Sequence, residues 1–135
     1  HNGNWGFLIN PVKEDVKISP VFDCGSCLFA ESDIELKRQI MNKKTELEYR
    51  LYVTPKSAIM QNDKKISYFD FLKSGKNEDC TKSLIDITSR INLSDVNKII
   101  DEIDLISDEE REFYKFLLRE RKEGILERAI TDMEK

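Results

Sequence analysis

The first twenty-seven residues, HNGNWGFLINPVKEDVKISPVFDCGSC, constrain this chain more than any other stretch. Two apolar runs, Trp5-Gly6-Phe7-Leu8-Ile9 and Val16-Lys17-Ile18, flank a polar segment from Asn10 to Asp15. Aromatic and β-branched residues bounded by Asn, Pro and Asp predict two short strands joined by a hairpin turn. Asn4 lies just before the first strand, and Pro20-Val21-Phe22-Asp23-Cys24-Gly25 follows the second. Closing the hairpin brings the outer ends of both strands together, so Asn4 and Asp23 should emerge side by side. As residue types alone, an Asn before a strand and an Asp before a Gly are turn formers. An amide oxygen beside a carboxylate is also a hard-oxygen pair suited to Mg²⁺, which takes few protein ligands and completes its shell with water and phosphate oxygens.

A catalytic-loop Asn and an Asp-x-Gly motif hold Mg²⁺ in this way in protein kinases. His1-Asn2-Gly3-Asn4-Trp5-Gly6-Phe7-Leu8 and Ser19-Pro20-Val21-Phe22-Asp23-Cys24-Gly25-Ser26 resemble the C-terminal lobe of the HipA-like kinases. These are bacterial serine/threonine kinases, several of them toxins of toxin–antitoxin pairs. Ser57-Ala58-Ile59, Lys64-Lys65-Ile66-Ser67-Tyr68-Phe69-Asp70, and Ile106-Ser107 running into Glu112-Phe113-Tyr114 fit the same resemblance, which therefore covers nearly the whole chain. It implies a mainly α-helical, protein-kinase-like C-terminal lobe over residues 1–135, with a β-hairpin at its N-terminal end. It further implies Asn4 and Asp23 as the Mg²⁺ and ATP ligands, with ATP and a protein as substrates and an antitoxin as a possible partner. Residues 26 to about 62 would occupy the activation-segment position.

One departure matters more than the matches. The catalytic Asp of kinases precedes the metal-binding Asn by five positions, which from Asn4 falls two residues before His1. The Gly-rich loop and the strand Lys that clasp ATP would lie further upstream. The expectation is a fragment cut inside the catalytic loop, lacking the N-terminal kinase lobe, without a catalytic residue of its own and inactive alone. His1 and Asn2 would then be a frayed end here and shape the catalytic loop in a longer protein. The motif is Asp-Cys-Gly rather than Asp-Phe-Gly, which leaves the acid and the glycine in place and puts only Phe-type regulation of the segment in doubt.

Composition supports a folded but highly charged domain: 39% hydrophobic and 36% charged residues, against the usual quarter charged. A net charge of −4 and a pI near 5.2 are not the basic footprint of a nucleic-acid binder. No apolar run approaches the ~20 residues of a membrane span. Three cysteines are too few, and odd in number, for a disulfide scaffold, so the cytoplasm is the expected compartment. Cys24-x-x-Cys27 has zinc-knuckle or redox spacing, yet zinc would also have to recruit Cys80 and His1. Two small, partly buried residues is the plainer reading.

Beyond the hairpin the pattern turns helical. Ser32 or Asp33 can cap a helix carrying Ile34, Ile40 and Met41, interrupted near Asn42-Lys43-Lys44. A stretch with Leu47 and Leu51 should end at Thr54-Pro55, because the residue before Pro avoids helical dihedrals. Asn62 to Lys65 reads as a turn, Ser67 as the cap of a short aromatic helix, Gly75 as its C′ residue and Asn77 as the next cap. A helix over 78–91 should bury Leu84, Ile87 and Ile91, and the next should bury Val96, Ile99, Ile100 and Ile103. Ser107-Asp108-Glu109-Glu110 matches the capping box of a long helix from Asp108 to about Met133, roughly 40 Å. Its buried stripe is Phe113, Phe116, Leu117, Ile125, Leu126, Ala129 and Ile130. Gly124 should mark a close packing point or bend, and Arg119–Glu123 and Arg128–Asp132 stand at ion-pair spacing on a solvated face. The reading set against the kinase is a non-catalytic helical binding module, or a decayed kinase, that docks a protein partner.

Overall fold

Strands β1 (Phe7–Asn10) and β2 (Asp15–Ile18) pair antiparallel with Phe7 opposite Ile18 and Ile9 opposite Val16. This is a computed structural model that describes residues 4–134. Asn10 sets the turn: its side-chain oxygen accepts the N–H groups of Val12 (3.1 Å) and Lys13 (3.2 Å). That is the local side-chain bonding for which Asn is favoured in turns. Nearly every residue of both strands is exposed. The hairpin belongs to one of two compact units, His1–Ser32 and Asp33–Lys135.

The second unit is helical. Its helices are α1 (Ile34–Asn42), α2 (Lys44–Glu48), α3 (Tyr68–Lys73), α4 (Glu78–Arg90), α5 (Leu93–Asp101), α6 (Asp108–Arg121) and α7 (Arg128–Met133). Five of them begin on a side-chain cap at the position where local chemistry puts one. Asp33, Ser67, Asn77, Asn92 and Ser107 accept the N–H groups of Leu36, Asp70, Cys80, Ser94 and Glu110. Ser107 and Glu110 complete the reciprocal capping box. Gly75 follows α3 at φ +61, the left-handed conformation that a C′ residue adopts. Between α2 and α3 lie Thr54-Pro55 and a small hairpin, β3 (Met60–Gln61) with β4 (Lys64–Lys65). Asn62 and Asp63 form its two-residue turn, both at positive φ.

Two stretches widen into π-helical turns, Tyr49–Val53 after α2 and Lys122–Glu127 between α6 and α7. Gly124 lies in the second. Its hydrogen faces Leu51 and Tyr52, where a Cβ would come within 3.3 Å of the Leu51 Cδ1, and the Tyr52 hydroxyl donates to the Gly124 carbonyl at 2.9 Å. The glycine is thus a close packing point between the two widened turns.

The core of this unit follows α6 and its continuation. Ile40 from α1, Ile100 from α5, and Phe113, Tyr114 and Leu117 from α6 are buried toward one end. Phe69, Leu84 and Ala129 are buried toward the other, with Tyr52, Leu72, Ile125, Leu126, Ile130 and Met133 packed around them. Two expected stripes are narrower than their apolar patterns. On α4, Leu84 and Thr88 are buried while Ile87 is 52% exposed. On α5 only Ile100 is buried, and Ile99 is 64% exposed. In each case the neighbouring helix covers one line of side chains and leaves the flank uncovered. Arg128 pairs with Asp132 at 3.7 Å, whereas Arg119 turns to Glu120 at 3.3 Å instead of Glu123 and lies over the Phe116 ring.

Candidate kinase-type oxygen site

The open end of the first hairpin is held by two hydrogen bonds beyond the paired strands. Ser19 N–H donates to the Gly6 carbonyl at 2.9 Å, extending the ladder outward by one step. The Asn4 side-chain Nδ2 then donates to the main-chain carbonyl of Asp23 at 3.1 Å. The hairpin therefore brings Asn4 and Asp23 together across nineteen residues of sequence. The contact runs from amide nitrogen to backbone oxygen, so neither the Asn4 amide oxygen nor the Asp23 carboxylate is part of it. Asp23 has φ +55, a left-handed conformation that Asp tolerates better than most residues. Gly25 has nothing within 4 Å of where its Cβ would be, so neither space nor a left-handed backbone demands glycine there.

The cysteines beside this pair are less enclosed than expected. Cys24 and Cys27 are exposed rather than partly buried, in a run of turns where the Cys27 N–H donates to the Cys24 carbonyl at 3.1 Å. Cys80 is half-buried near the start of α4. His1 and Asn2, read from sequence as catalytic-loop neighbours, lie outside the described residues. Among the described residues no group of three or more His, Cys, Asp or Glu side chains converges as a metal cluster would. No helix of the described residues is long and apolar enough to cross a membrane.

Sequence reasoning missed the principal electrostatic feature of the second unit. Lys37 on α1 is 2% exposed, and its ammonium donates to Glu110 Oε1 on α6 at 2.7 Å. Burial pushes Lys37 down, but the Glu110 carboxylate and the adjacent Tyr114, whose ring it overlies at 5.4 Å, hold it above its ordinary value. Glu110 is driven down to about 2 by Lys37 and by the N–H and hydroxyl of Ser107. One residue along, Arg38 clasps Glu109 through two nitrogens at 2.5 and 2.8 Å. These pairs fix α1 on α6; they are structural.

No protein-family model matches the chain. Over 132 residues, 97% of its length, the chain is 40% identical to the serine/threonine-protein kinase CtkA of Helicobacter pylori, of which the match spans 41%. It superposes on the crystal structure of the Helicobacter pylori proinflammatory kinase CtkA with a TM-score of 0.84, covering 98% of this chain and 49% of that one. The fold is that of part of a kinase. The chain spans less than half the length of the curated relative and about half of the solved one.

Proposed function

We propose that this chain is the C-terminal part of a HipA-like serine/threonine protein kinase, and that Asn4 and Asp23 are its metal ligands. The observation carrying the proposal is the hydrogen bond from the Asn4 side chain to the Asp23 backbone at the open end of the hairpin, in a chain similar to part of a kinase. Their chemistry fits Mg²⁺. The Asn4 nitrogen bonds to the Asp23 backbone, which leaves the amide oxygen as the other polar atom of that side chain, and Asp23 itself is exposed. Both donors are hard oxygens, and two are enough when water and ATP phosphates supply the rest.

When bound, Mg²⁺ neutralises charge on the phosphates of ATP, the main requirement in a reaction governed by positioning and electrostatics. Asp23 contributes the negative charge that retains the cation, and the Asn4 amide contributes a neutral oxygen and fixes the backbone that presents Asp23. The reaction is transfer of the γ-phosphoryl group to a Ser or Thr hydroxyl of a protein. The Asp that orients that hydroxyl and the lobe that clasps ATP belong to the rest of the kinase, and residues 1–135 alone are inactive. The HipA resemblance makes a cytoplasmic toxin with a cognate antitoxin the biological setting.

The test places residues 1–135 into the Helicobacter pylori kinase in exchange for its matching segment and follows labelled-phosphate transfer to protein. The chimera should be active, and its Asp23→Asn variant should lose at least about 100-fold, because an amide cannot replace the charge on the metal. Asn4→Ala should also be impaired. In residues 1–135 alone, Mn²⁺ should broaden amide resonances around Asn4 and Asp23. Equal transfer by an active chimera and its Asp23→Asn variant would overturn the mechanism.

A further inference from the structure

Cys24 and Cys27 are a chemistry-bearing pair that the kinase reading leaves unused. Both are exposed, in the compact unit that carries the hairpin, while Cys80 is half-buried in the other unit. They are the first and last residues of a turn, closed by the Cys27 N–H donating to the Cys24 carbonyl at 3.1 Å. A turn of that kind holds its end Cα atoms within about 7 Å of each other, and a disulfide spans about 4.4–6.8 Å between Cα atoms. Gly25, one of the two central residues, has nothing within 4 Å of its Cβ position, so no neighbour blocks a small adjustment of the turn. The Cys24 thiol donates to the Phe22 carbonyl at 3.9 Å, a weak bond that is easily given up.

Two chemistries suit this spacing, and they ask for different surroundings. A structural zinc takes four ligands, whereas among the described residues no group of three or more His, Cys, Asp or Glu side chains converges. A disulfide needs only the two sulfurs. Closed across one exposed turn, it would be a labile bond, since exposed or strained disulfides are the readily reduced ones. The loop it closes is also too short to constrain much of the unfolded chain, so it adds little as a staple. Exchange fits the site better than structural support.

We propose that Cys24 and Cys27 are a thiol–disulfide exchange site that closes into a reversible intramolecular disulfide, with a low-molecular-weight disulfide as oxidant. One cysteine sulfur attacks a sulfur of the oxidant, whose S–S bond breaks; one small thiol leaves and a mixed disulfide remains. The other cysteine attacks the protein sulfur of that bond, the Sγ–Sγ bond forms, and the second small thiol leaves. Two electrons pass from the cysteines to the oxidant, and the two cysteine protons end on the departing thiols. The closed turn gives the second step a high effective concentration. Closure ties down the chain directly after Asp23, whose carbonyl accepts from Asn4. Neither cysteine belongs to the proposed metal site, so the exchange stands or falls independently of it.

Intact-mass analysis of residues 1–135, equilibrated with graded mixtures of oxidised and reduced glutathione, tests this. The wild-type chain should lose two hydrogens, regain them on reduction, and show the bond between residues 24 and 27 on peptide mapping. At about 0.1 mM total glutathione the intramolecular form should exceed the glutathione adduct at this pair at least about 10-fold, as a millimolar effective concentration dictates. Cys24→Ser and Cys27→Ser should each abolish the hydrogen loss and leave an adduct on the remaining cysteine. Cys80→Ser should leave the 24–27 bond unchanged. In denaturing urea, half-oxidation should need at least about a 3-fold more oxidising mixture, because the turn no longer holds the pair together. Adducts that persist on both cysteines, or bonds to Cys80 or between chains in place of the 24–27 bond, overturn the proposal. So does an unchanged midpoint in urea, which would mean that the fold does not build the site.

Discussion

Removing the Glu110 carboxylate should destabilise the second unit more than removing its partner. Lys37 is 2% exposed, and Glu110 is the carboxylate that meets its ammonium, at 2.7 Å. Glu110→Ala leaves that charge buried and uncompensated, a change that costs about 3–5 kcal/mol. It also breaks the capping box at the start of α6, where Glu110 accepts from the Ser107 N–H at 3.1 Å and the Ser107 hydroxyl at 3.0 Å. Lys37→Met is a different perturbation. It fills the same space without charge, and the Glu110 carboxylate, a quarter exposed, still holds Ser107 and regains water. Its cost should be about 1 kcal/mol. Lys37→Met with Glu110→Gln leaves no buried charge and should lie within about 1 kcal/mol of wild type. Urea unfolding at pH 7 of wild type, Lys37→Met, Glu110→Gln and their double variant gives the coupling energy directly, and a 3 kcal/mol loss moves the midpoint by about 1–2 M. If the two single variants cost the same and their effects simply add, the buried pair does not act as described.

Acid should expose the same pair. The folded-state value of Glu110 is about 2, below its ordinary 4.5, so its contribution is complete above about pH 4.5 and lost as pH falls toward 2. Urea midpoints at pH 7 and pH 3 should therefore diverge more for wild type than for Glu110→Gln. Gly75→Ala should cost about 1–2 kcal/mol by thermal melting, because φ is +61 and a Cβ would come within 3.3 Å of the Met133 sulfur. Tyr52→Phe should cost about 1 kcal/mol in the same assay by removing the 2.9 Å bond to the Gly124 carbonyl.

What could be read from the sequence was what local chemistry decides. Asn10, Asp33, Ser67, Asn77 and Ser107 each bond to backbone N–H groups two or three residues away, so their turns and caps need no tertiary information. The meeting of Asn4 and Asp23 was legible for the same reason, since a hairpin turn dictates which ends return to each other. The atoms in contact were not, because the amide could as well have faced the carboxylate as the carbonyl. Neither was the burial of Lys37. Within α1 it lies on the apolar face, one turn from Ile34 and Ile40, where a lysine would ordinarily reach out to solvent, and only the register of α1 on α6 sets it opposite Glu110. Ile87 and Ile99 show the converse limit: an apolar helical pattern marks a face without saying how much of it a neighbour covers. The β3–β4 hairpin was read as a turn alone, because each strand is two residues long and carries no alternation to detect.

Burial and the proposed metal site are therefore divided along the chain. Around α6, burial is complete at Phe113 and Leu117, its first turn is tied to α1 through Lys37 and Arg38, and its continuation is tied to Tyr52 through Gly124. The hairpin has no comparable burial, and Asn4 and Asp23 share one exposed hydrogen bond at its open end. Side chains that make few packing contacts can be changed with little effect on folding, usually within about 0.5 kcal/mol. Asp23→Asn keeps the backbone carbonyl that Asn4 holds and removes only the charge of an exposed side chain. It should leave the melting of the second unit unmoved while abolishing whatever depends on the oxygen pair. A change in melting as large as that of Glu110→Ala would mean that Asp23 supports the fold, and lost phosphate transfer would then say nothing about metal binding.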